Sequence, residues 1–340
     1  MTVRVGINGF GRIGRNFVRA ALKSGADVEV VGVNDLTSVE VNAHLLAHDS
    51  THGHLPGVEV TPDGIGVNGQ VIRVFAERDP KALPWEELVV DVVVESTGIF
   101  TDGGAARAHI EAGAPRVLIS APATNVDATF VMGVNDDTFD PALHTVVSNA
   151  SCTTNCFVPM VKVLDDAFGV RSGLMTTVHA YTNDQNLLDL AHKDLRRARA
   201  ASINIVPSST GAARATGLVL QAMNGRLDGT SLRVPVPVGS ITDFTAILEG
   251  DVSVEAANEA FRAAAESGPM ARVLVYSEDP LVSSDIVGSP ASCTFDAGLT
   301  MAIPAGDGAT LIKTLGWYDN EWGYSNRLVD MAIVIGRANS

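Results

Sequence analysis

The residues best able to do chemistry lie in the stretch Ser148-Asn149-Ala150-Ser151-Cys152-Thr153-Thr154-Asn155-Cys156. The apolar Val146 and Val147 before it read as a strand, and Phe157-Val158-Pro159-Met160-Val161 after it as a helix, so Cys152 is expected near a helix N-terminus. Free backbone N–H groups there favour a thiolate and can draw a cysteine pKa from roughly 8.5 into a range of about 3.5–7.5. The alternative is a buried structural cysteine. The flanking hydroxyls of Ser151, Thr153 and Thr154 are not what an inert apolar site would select. Cys156 falls one helical turn later on the same face, as a resolving thiol or, more simply, as a packed helical residue.

A second constellation opens the chain. The apolar run Val3-Arg4-Val5-Gly6-Ile7-Asn8 fits a parallel strand and leads into Gly9-Phe10-Gly11-Arg12-Ile13-Gly14. Helical spacing follows (Ile13, Phe17, Ala20, Ala21), then a second strand over 28–33 that ends at Asn34-Asp35. Strand, glycines, helix, strand and acid in this order form a dinucleotide-binding βαβ unit: Gly9 and Gly11 admit the pyrophosphate and Asp35 takes the ribose hydroxyls. A tight turn with a solvated Asp35 is the simpler reading of the same residues. A carboxylate at position 35 repels a 2′-phosphate, and Leu36 brings no compensating charge, so NAD is expected rather than NADP.

The elements that position these residues follow from periodicity. His44, His48, His52 and His54 crowd one segment, with His44 and His48 at i, i+4, but the glutamate of a zinc hydrolase helix is missing between them, and no metal is expected. Residues 58–74, punctuated by Asp63-Gly64 and Asn68-Gly69, read as a hairpin excursion. A helix start is expected at Pro84-Trp85-Glu86, strands over 91–95 and 116–120, and a helix over 103–112 stopped by Gly113. Such alternation predicts a parallel sheet covered on both faces. After Cys152 one helix runs to about Phe168, and then long β runs dominate, interrupted by helices near 211–223 and 254–265. The fold class is α/β: an N-terminal Rossmann-type parallel-sheet domain, 1–150, plus an α+β catalytic domain with a mostly antiparallel sheet, 151–319. A C-terminal helix, 320–340, is expected to pack back on the first domain.

With 340 residues, 46% of them hydrophobic and 19% charged, the chain is long enough for two ordinary globular cores. A formal net charge of −15 argues against broad binding to nucleic acid or anionic membrane, so an anionic ligand needs local basic groups. Three cysteines, two of them four positions apart, make no disulfide framework and suggest a reducing compartment. No apolar run approaches the roughly 20 residues of a membrane span, and no leader pattern opens the chain, so a cytoplasmic location is expected.

Taken together these residues resemble the phosphorylating, type I glyceraldehyde-3-phosphate dehydrogenase family. The marks are Gly6-Ile7-Asn8-Gly9-Phe10-Gly11-Arg12-Ile13-Gly14-Arg15, Ser151-Cys152-Thr153-Thr154-Asn155-Cys156, Asp194-Leu195-Arg196-Arg197-Ala198-Arg199 and Trp317-Tyr318-Asp319-Asn320-Glu321-Trp322-Gly323-Tyr324, spread over nearly the whole length. The resemblance implies a glycolytic oxidoreductase that converts D-glyceraldehyde 3-phosphate to 1,3-bisphosphoglycerate through a thiohemiacetal and a thioester on Cys152. It assigns His179 as the base, and Arg12, Ile13, Arg78, Ser120 and Asn320 to the dinucleotide beside Gly9, Gly11 and Asp35. Substrate and inorganic phosphate fall to Ser151, Thr153, Thr182, Arg197, Thr210, Gly211 and Arg233. The arginines suit this task because guanidinium groups offer paired donors to phosphate oxygens.

The resemblance also implies a homotetramer, since the loop before the basic run comes from a neighbouring subunit in the family. NAD-using members commonly carry Leu-Pro in that loop; here it is Leu190-Ala191, which leaves tolerance of NADP open while Leu190 and Leu36 favour NAD. Two other functions compete. Erythrose 4-phosphate, one carbon longer, would use the same chemistry. A non-catalytic adhesin or RNA-binding relative should have lost Cys152, His179 or Arg233, and none is lost.

Overall fold

The computed structural model describes residues 1–338, so the last two positions of the expected 320–340 helix lie outside the described residues. The chain forms two compact units. One comprises Met1–Phe130, Asn135–Ala150 and the described residues from Ser325 onward; the other comprises Val131–Val134 and Ser151–Tyr324.

The first unit is built on a nine-stranded sheet. Val3–Asn8 lies between Val28–Asn34 and Val92–Glu95, parallel to both, and the parallel run continues through Val117–Ile119 and Val146–Ser148. The central strands are apolar almost throughout because both faces are covered: Val5, Ile7, Val92, Val93, Val94, Val117 and Leu118 are fully buried. On the far side Gln70–Phe75 pairs parallel with Val28–Asn34, and Gly64–Val67 and Val58–Thr61 extend the sheet antiparallel, so the 58–74 excursion is a three-strand meander. Helix Arg12–Ser24 follows the first strand and ends on Gly25, whose φ of 65° closes it in the left-handed region.

Two local expectations fail. No helix starts at Pro84-Trp85-Glu86; the segment is a series of turns, because Trp85 turns inward and packs among Leu83, Leu88, Val90 and Val93. The 103–112 helix breaks into Gly103–Ala106 and Ala108–Glu111, short pieces between an Asp102 cap and Gly113. Two glycines at the start and no long apolar stripe leave little to hold one continuous helix.

The second unit carries an eight-stranded sheet. Val170–Ala180, Ser240–Glu249 and Ala309–Tyr318 run antiparallel through its centre, while Leu227–Val234 joins Val170–Ala180 in parallel. Helix Cys152–Phe168 is buried along most of its length, including an edge-to-face contact of Phe157 with Phe244 at 4.9 Å. The expected β run 293–303 is two strands, Cys293–Asp296 and Met301–Gly306, separated by a 3-10 turn at Ala297–Leu299. The final helix, Trp322–Arg337, buries Leu328, Met331, Ala332 and Ile335.

Candidate active site

Cys152 is the first residue of its helix. Ser151 caps it, its Oγ accepting from the Thr154 N–H at 3.0 Å. The chain enters this cap through Ala150 at φ 55°, a conformation that costs a residue with a Cβ and is retained where the surrounding bonds dictate it; here the Ala150 N–H donates to Ser148 Oγ at 3.0 Å.

His179, next to last in strand Val170–Ala180, puts Nε2 3.4 Å from Cys152 Sγ. Its Nδ1 lies 2.7 Å from the Ala180 carbonyl oxygen. That oxygen can only accept and is the nearer partner; Arg233 Nη1, which can only donate, lies 3.1 Å from the same Nδ1 but has acceptors of its own in Ala180 O and Thr182 Oγ1, so we assign the ring proton to Nδ1, with Nε2 facing the thiol as an acceptor. The edge of the Tyr318 ring approaches His179 at 5.8 Å, and the Tyr318 hydroxyl bonds Thr153 Oγ1 at 2.8 Å and Thr177 Oγ1 at 2.7 Å. The Thr153 hydroxyl, expected to meet substrate, bonds Tyr318 here, and Thr153 is buried.

Arg233 sits in register opposite His179 on the parallel strand. Its Nη1 donates to Ala180 O at 3.1 Å and to Thr182 Oγ1 at 3.0 Å. Its Nε is buried without a hydrogen-bond partner among the described residues, a donor left for an anion. Thr182 in turn bonds Asp184, and Asp184 pairs with Arg197. Arg197 also places Nε 3.5 Å from Asp194 and Nη2 3.4 Å from Ser209 O, next to Thr210 and Gly211. Gly211 precedes helix Ala212–Val219, and Thr210 Oγ1 accepts from the Ala212 N–H at 3.2 Å. Of the expected residues, Cys152, His179, Thr182, Arg197 and Arg233 thus form one connected set, with Ser151, Thr210 and Gly211 at helix starts beside it.

Electrostatics divide this set. Packing pushes the Cys152 thiol up to about 11, against the charge of Arg233 and hydrogen bonds from Thr153. The helix N-terminus alone would have lowered it, so burial outweighs the effect read from sequence. Burial first, and the charge of Arg233 second, hold the His179 imidazole down to about 3. Either charge alone is disfavoured, whereas moving the proton from Sγ to Nε2 creates both at once and lets each stabilise the other. For Asp184 burial raises the carboxyl, but the Thr182 hydrogen bond and the charges of Arg233 and Arg197 prevail and hold it below the usual carboxylate range.

Sequence reasoning missed Asp184 and Ser240. Asp184 lies two positions after Thr182 and joins both arginines' networks; an acid beside the basic run of an acidic chain was the available signal. Ser240 accepts from the Ala180 N–H at 3.1 Å and donates to Asn320 Oδ1 at 3.0 Å, which also accepts from the Gly239 N–H at 3.1 Å. A lone serine at the start of a strand gave no such signal. Asn320 belongs to this second unit, its oxygen fixed by these two donors.

The other expected dinucleotide residues belong to the first unit. A cleft of about 410 Å³ is lined by Gly9, Gly11, Asp35, Leu36, Arg78 and Thr97 among others. Gly9 has φ 92°, and a Cβ there would come within 2.6 Å of the Thr97 nitrogen; a Cβ on Gly11 would meet nothing within 4 Å and would project into space a ligand could fill. The helix starting at Arg12 has no side-chain cap, and the N–H groups of a helix start suit a phosphate. The side chain of Arg12 is engaged with Asp49 at 2.5 Å, so its expected contact falls to the backbone, as for Ile13. Asp35 is fixed by the Phe10 N–H at 3.0 Å and by Thr37 through its N–H at 3.0 Å and its hydroxyl at 2.9 Å. Ser120 ends strand Val117–Ile119, with its N–H on Glu95 O at 2.9 Å. These groups fit a dinucleotide. Three of the crowded histidines lie ring beside ring: His48 is 4.9 Å from His44, tilted, and 4.8 Å from His54, stacked, centroid to centroid.

Comparison with known proteins covers both units. Residues 3–103 match the family described as glyceraldehyde 3-phosphate dehydrogenase, NAD binding domain, and residues 151–320 match its C-terminal domain. Glyceraldehyde-3-phosphate dehydrogenase 2 of Streptomyces avermitilis is 58% identical over 337 residues, 99% of each chain. The dehydrogenase of Streptomyces coelicolor is 59% identical over 337 residues, again 99% of each. That of Mycobacterium avium is 57% identical over 346 aligned positions, covering 99% of this chain and 100% of its own. With both domain families matched and identity sustained from end to end, the chain belongs to the glyceraldehyde-3-phosphate dehydrogenase family.

Proposed function

We propose that the protein is an NAD-dependent, phosphorylating D-glyceraldehyde-3-phosphate dehydrogenase of glycolysis. The observation that carries this reading is the 3.4 Å approach of Cys152 Sγ to the bare Nε2 of His179, with Arg233 joined to the same histidine strand. Nε2 takes the thiol proton as Sγ attacks the aldehyde carbon and passes it to the carbonyl oxygen, whose π bond opens as the carbon–sulfur bond of a thiohemiacetal forms; Nε2 takes the hydroxyl proton back as the hydride leaves the carbon. The dinucleotide, when bound, supplies the acceptor for the hydride, and the residue left on Sγ is a thioester. An oxygen of inorganic phosphate then attacks the thioester carbon, the carbon–sulfur bond breaks, and the acyl phosphate leaves with the sulfur restored. Arg233 and Thr182 suit the substrate's own phosphate; Arg197, Thr210 and the N–H groups at Gly211 suit the incoming one. Asp184 bridges the two groups through Thr182 and Arg197 and keeps two adjacent cations from repelling each other. Gly9, Gly11, the backbone at Arg12 and Ile13, Asp35, Arg78 and Ser120 would hold the dinucleotide, and Asn320 the nicotinamide end. No metal is needed.

The initial rate of NADH formation from glyceraldehyde 3-phosphate, with and without phosphate or arsenate, tests the reading. Sustained turnover only with the anion supports the thioester route. A single burst or no signal, with turnover on erythrose 4-phosphate, would replace the substrate. The cofactor preference rests on Asp35: Asp35→Ala is expected to shift the NAD-to-NADP ratio of kcat/KM toward NADP by about tenfold, the size of one lost charge-assisted contact. An unaltered ratio would contradict the ribose role.

A homotetramer belongs to the same proposal. Its support is the segment around the basic run, where Leu187, Leu195 and Ile203 are 73%, 82% and 78% exposed, too much apolar surface for one loop to leave in water. The same reading puts the enzyme in the cytoplasm, where a free catalytic thiol stays reduced.

A further inference from the structure

Under the dinucleotide cleft lies a buried carboxyl group that the reaction does not use. Glu95 ends strand Val92–Glu95 and is 2% exposed. Its Oε1 accepts from the Thr97 N–H at 2.8 Å and the Thr97 hydroxyl at 2.5 Å; its Oε2 accepts from Asn8 Nδ2 at 2.6 Å and lies 3.0 Å from His109 Nε2. On the other side of the imidazole, the Trp85 indole N–H donates to His109 Nδ1 at 3.0 Å. An indole nitrogen can only donate, so Nδ1 is the acceptor and the ring proton sits on Nε2, aimed at Glu95. Trp85 and His109 are both completely buried, and the Trp85 ring lies flush against the first strand, where a Cβ on Gly6 would come within 2.7 Å of it.

Two of the residues that donate to Glu95 belong to the cleft wall. Asn8 and Thr97 both line the cleft. Asn8 Oδ1 accepts from Asn34 Nδ2 at 2.7 Å, and Asn34 holds the backbone of Glu77 by two bonds of 2.8 Å, so the network continues under two more lining residues. Thr97 is also the wall against which Gly9 packs. Glu95 therefore sets the spacing between the turn at Gly9 and the turn at Thr97, and a four-donor carboxylate keeps that spacing only while every donor points inward.

We propose that Trp85, His109 and Glu95 form a positioning triad for dinucleotide binding, in which the indole fixes the tautomer of His109 and the imidazole orients Glu95 beneath the cleft. The proposal rests on the dinucleotide reading of that cleft. Its test compares His109→Gln with His109→Leu. A glutamine can accept from Trp85 through its oxygen and donate to Glu95 through its nitrogen; a leucine fills the space and does neither. The dissociation constant for NAD, measured by calorimetry, is expected to rise about tenfold or more in His109→Leu, the effect of leaving a buried donor and acceptor unmet. In His109→Gln most of that loss is recovered. The change falls on the dissociation constant and the KM for NAD, not on the KM for the aldehyde.

Trp85→Phe serves if His109→Leu fails to fold: it removes the indole N–H along with part of the ring and leaves Nδ1 without its donor, so the nitrogen NMR signal of His109 Nδ1 should shift as its hydrogen bond is lost while NAD affinity falls. Equal affinities in the wild type and His109→Leu, or equal losses in the glutamine and leucine variants, would overturn the triad. So would unchanged affinity in Trp85→Phe. A wild-type protein that binds no NAD would instead overturn the reading of the cleft.

Discussion

Cys152→Ser is expected to abolish turnover, by at least about 10⁴-fold, while leaving the fold and the affinity for NAD close to those of the wild type. The substitution exchanges one atom in a half-buried position, so packing changes little. The chemistry changes completely. A serine hydroxyl holds its proton far more tightly than a thiol, and His179, held down to about 3 by burial and by Arg233, is too weak a base to take it. The sulfur is also the leaving group when phosphate attacks, and an oxygen ester would resist that step. Stopped-flow NADH formation and mass spectrometry for an acylated enzyme check both halves. Cys156→Ser is the control: Cys156 is buried, and its Sγ lies 3.5 Å from the Gly316 carbonyl oxygen. Unchanged turnover in Cys152→Ser would sink the nucleophile assignment.

What could be read in the sequence was the chemistry carried by short, local patterns. Gly9, Gly11 and Asp35 announce themselves because a strand, a tight turn and a helix must follow one another within one βαβ unit. Cys152 announces itself because hydroxyls and a helix start surround it. What could not be read was anything decided by packing between distant segments. The thiol's raised pKa is such a case: the helix N-terminus is a local feature, but the burial that outweighs it is set by how the folded chain packs around the sulfur. The bond of Thr153 to Tyr318 was hidden for the same reason. Trp85 looked like a helix start because Pro-Trp-Glu is a good local signal, yet its indole is directed inward to His109 and the turn geometry follows from that. Ser240 and Asp184 were invisible because single hydroxyls and acids carry meaning only once their partners are in place.

His179→Asn is expected to lower kcat by about 10²–10⁴-fold and, independently of substrate, to change how Cys152 reacts with iodoacetamide. In the wild type the thiol can pass its proton 3.4 Å to Nε2, so alkylation proceeds near neutral pH from the charge pair. Asparagine cannot accept that proton. The thiol is then left with its burial, which pushes it up to about 11 in the intact site. A raised thiol pKa means that thiolate is scarce at all pH values below it and grows about tenfold with each unit of pH until the pKa is reached. Alkylation of the variant at pH 7 should therefore be slower by at least tenfold, and its rate should climb through the alkaline range where the wild type has already levelled. Arg233 does not rescue it, because its Nη1 is engaged by Ala180 and Thr182 and its charge favours the thiolate only from a distance. Identical pH profiles for the two proteins would mean that the thiolate forms without His179, and the histidine would then act on the carbonyl oxygen alone.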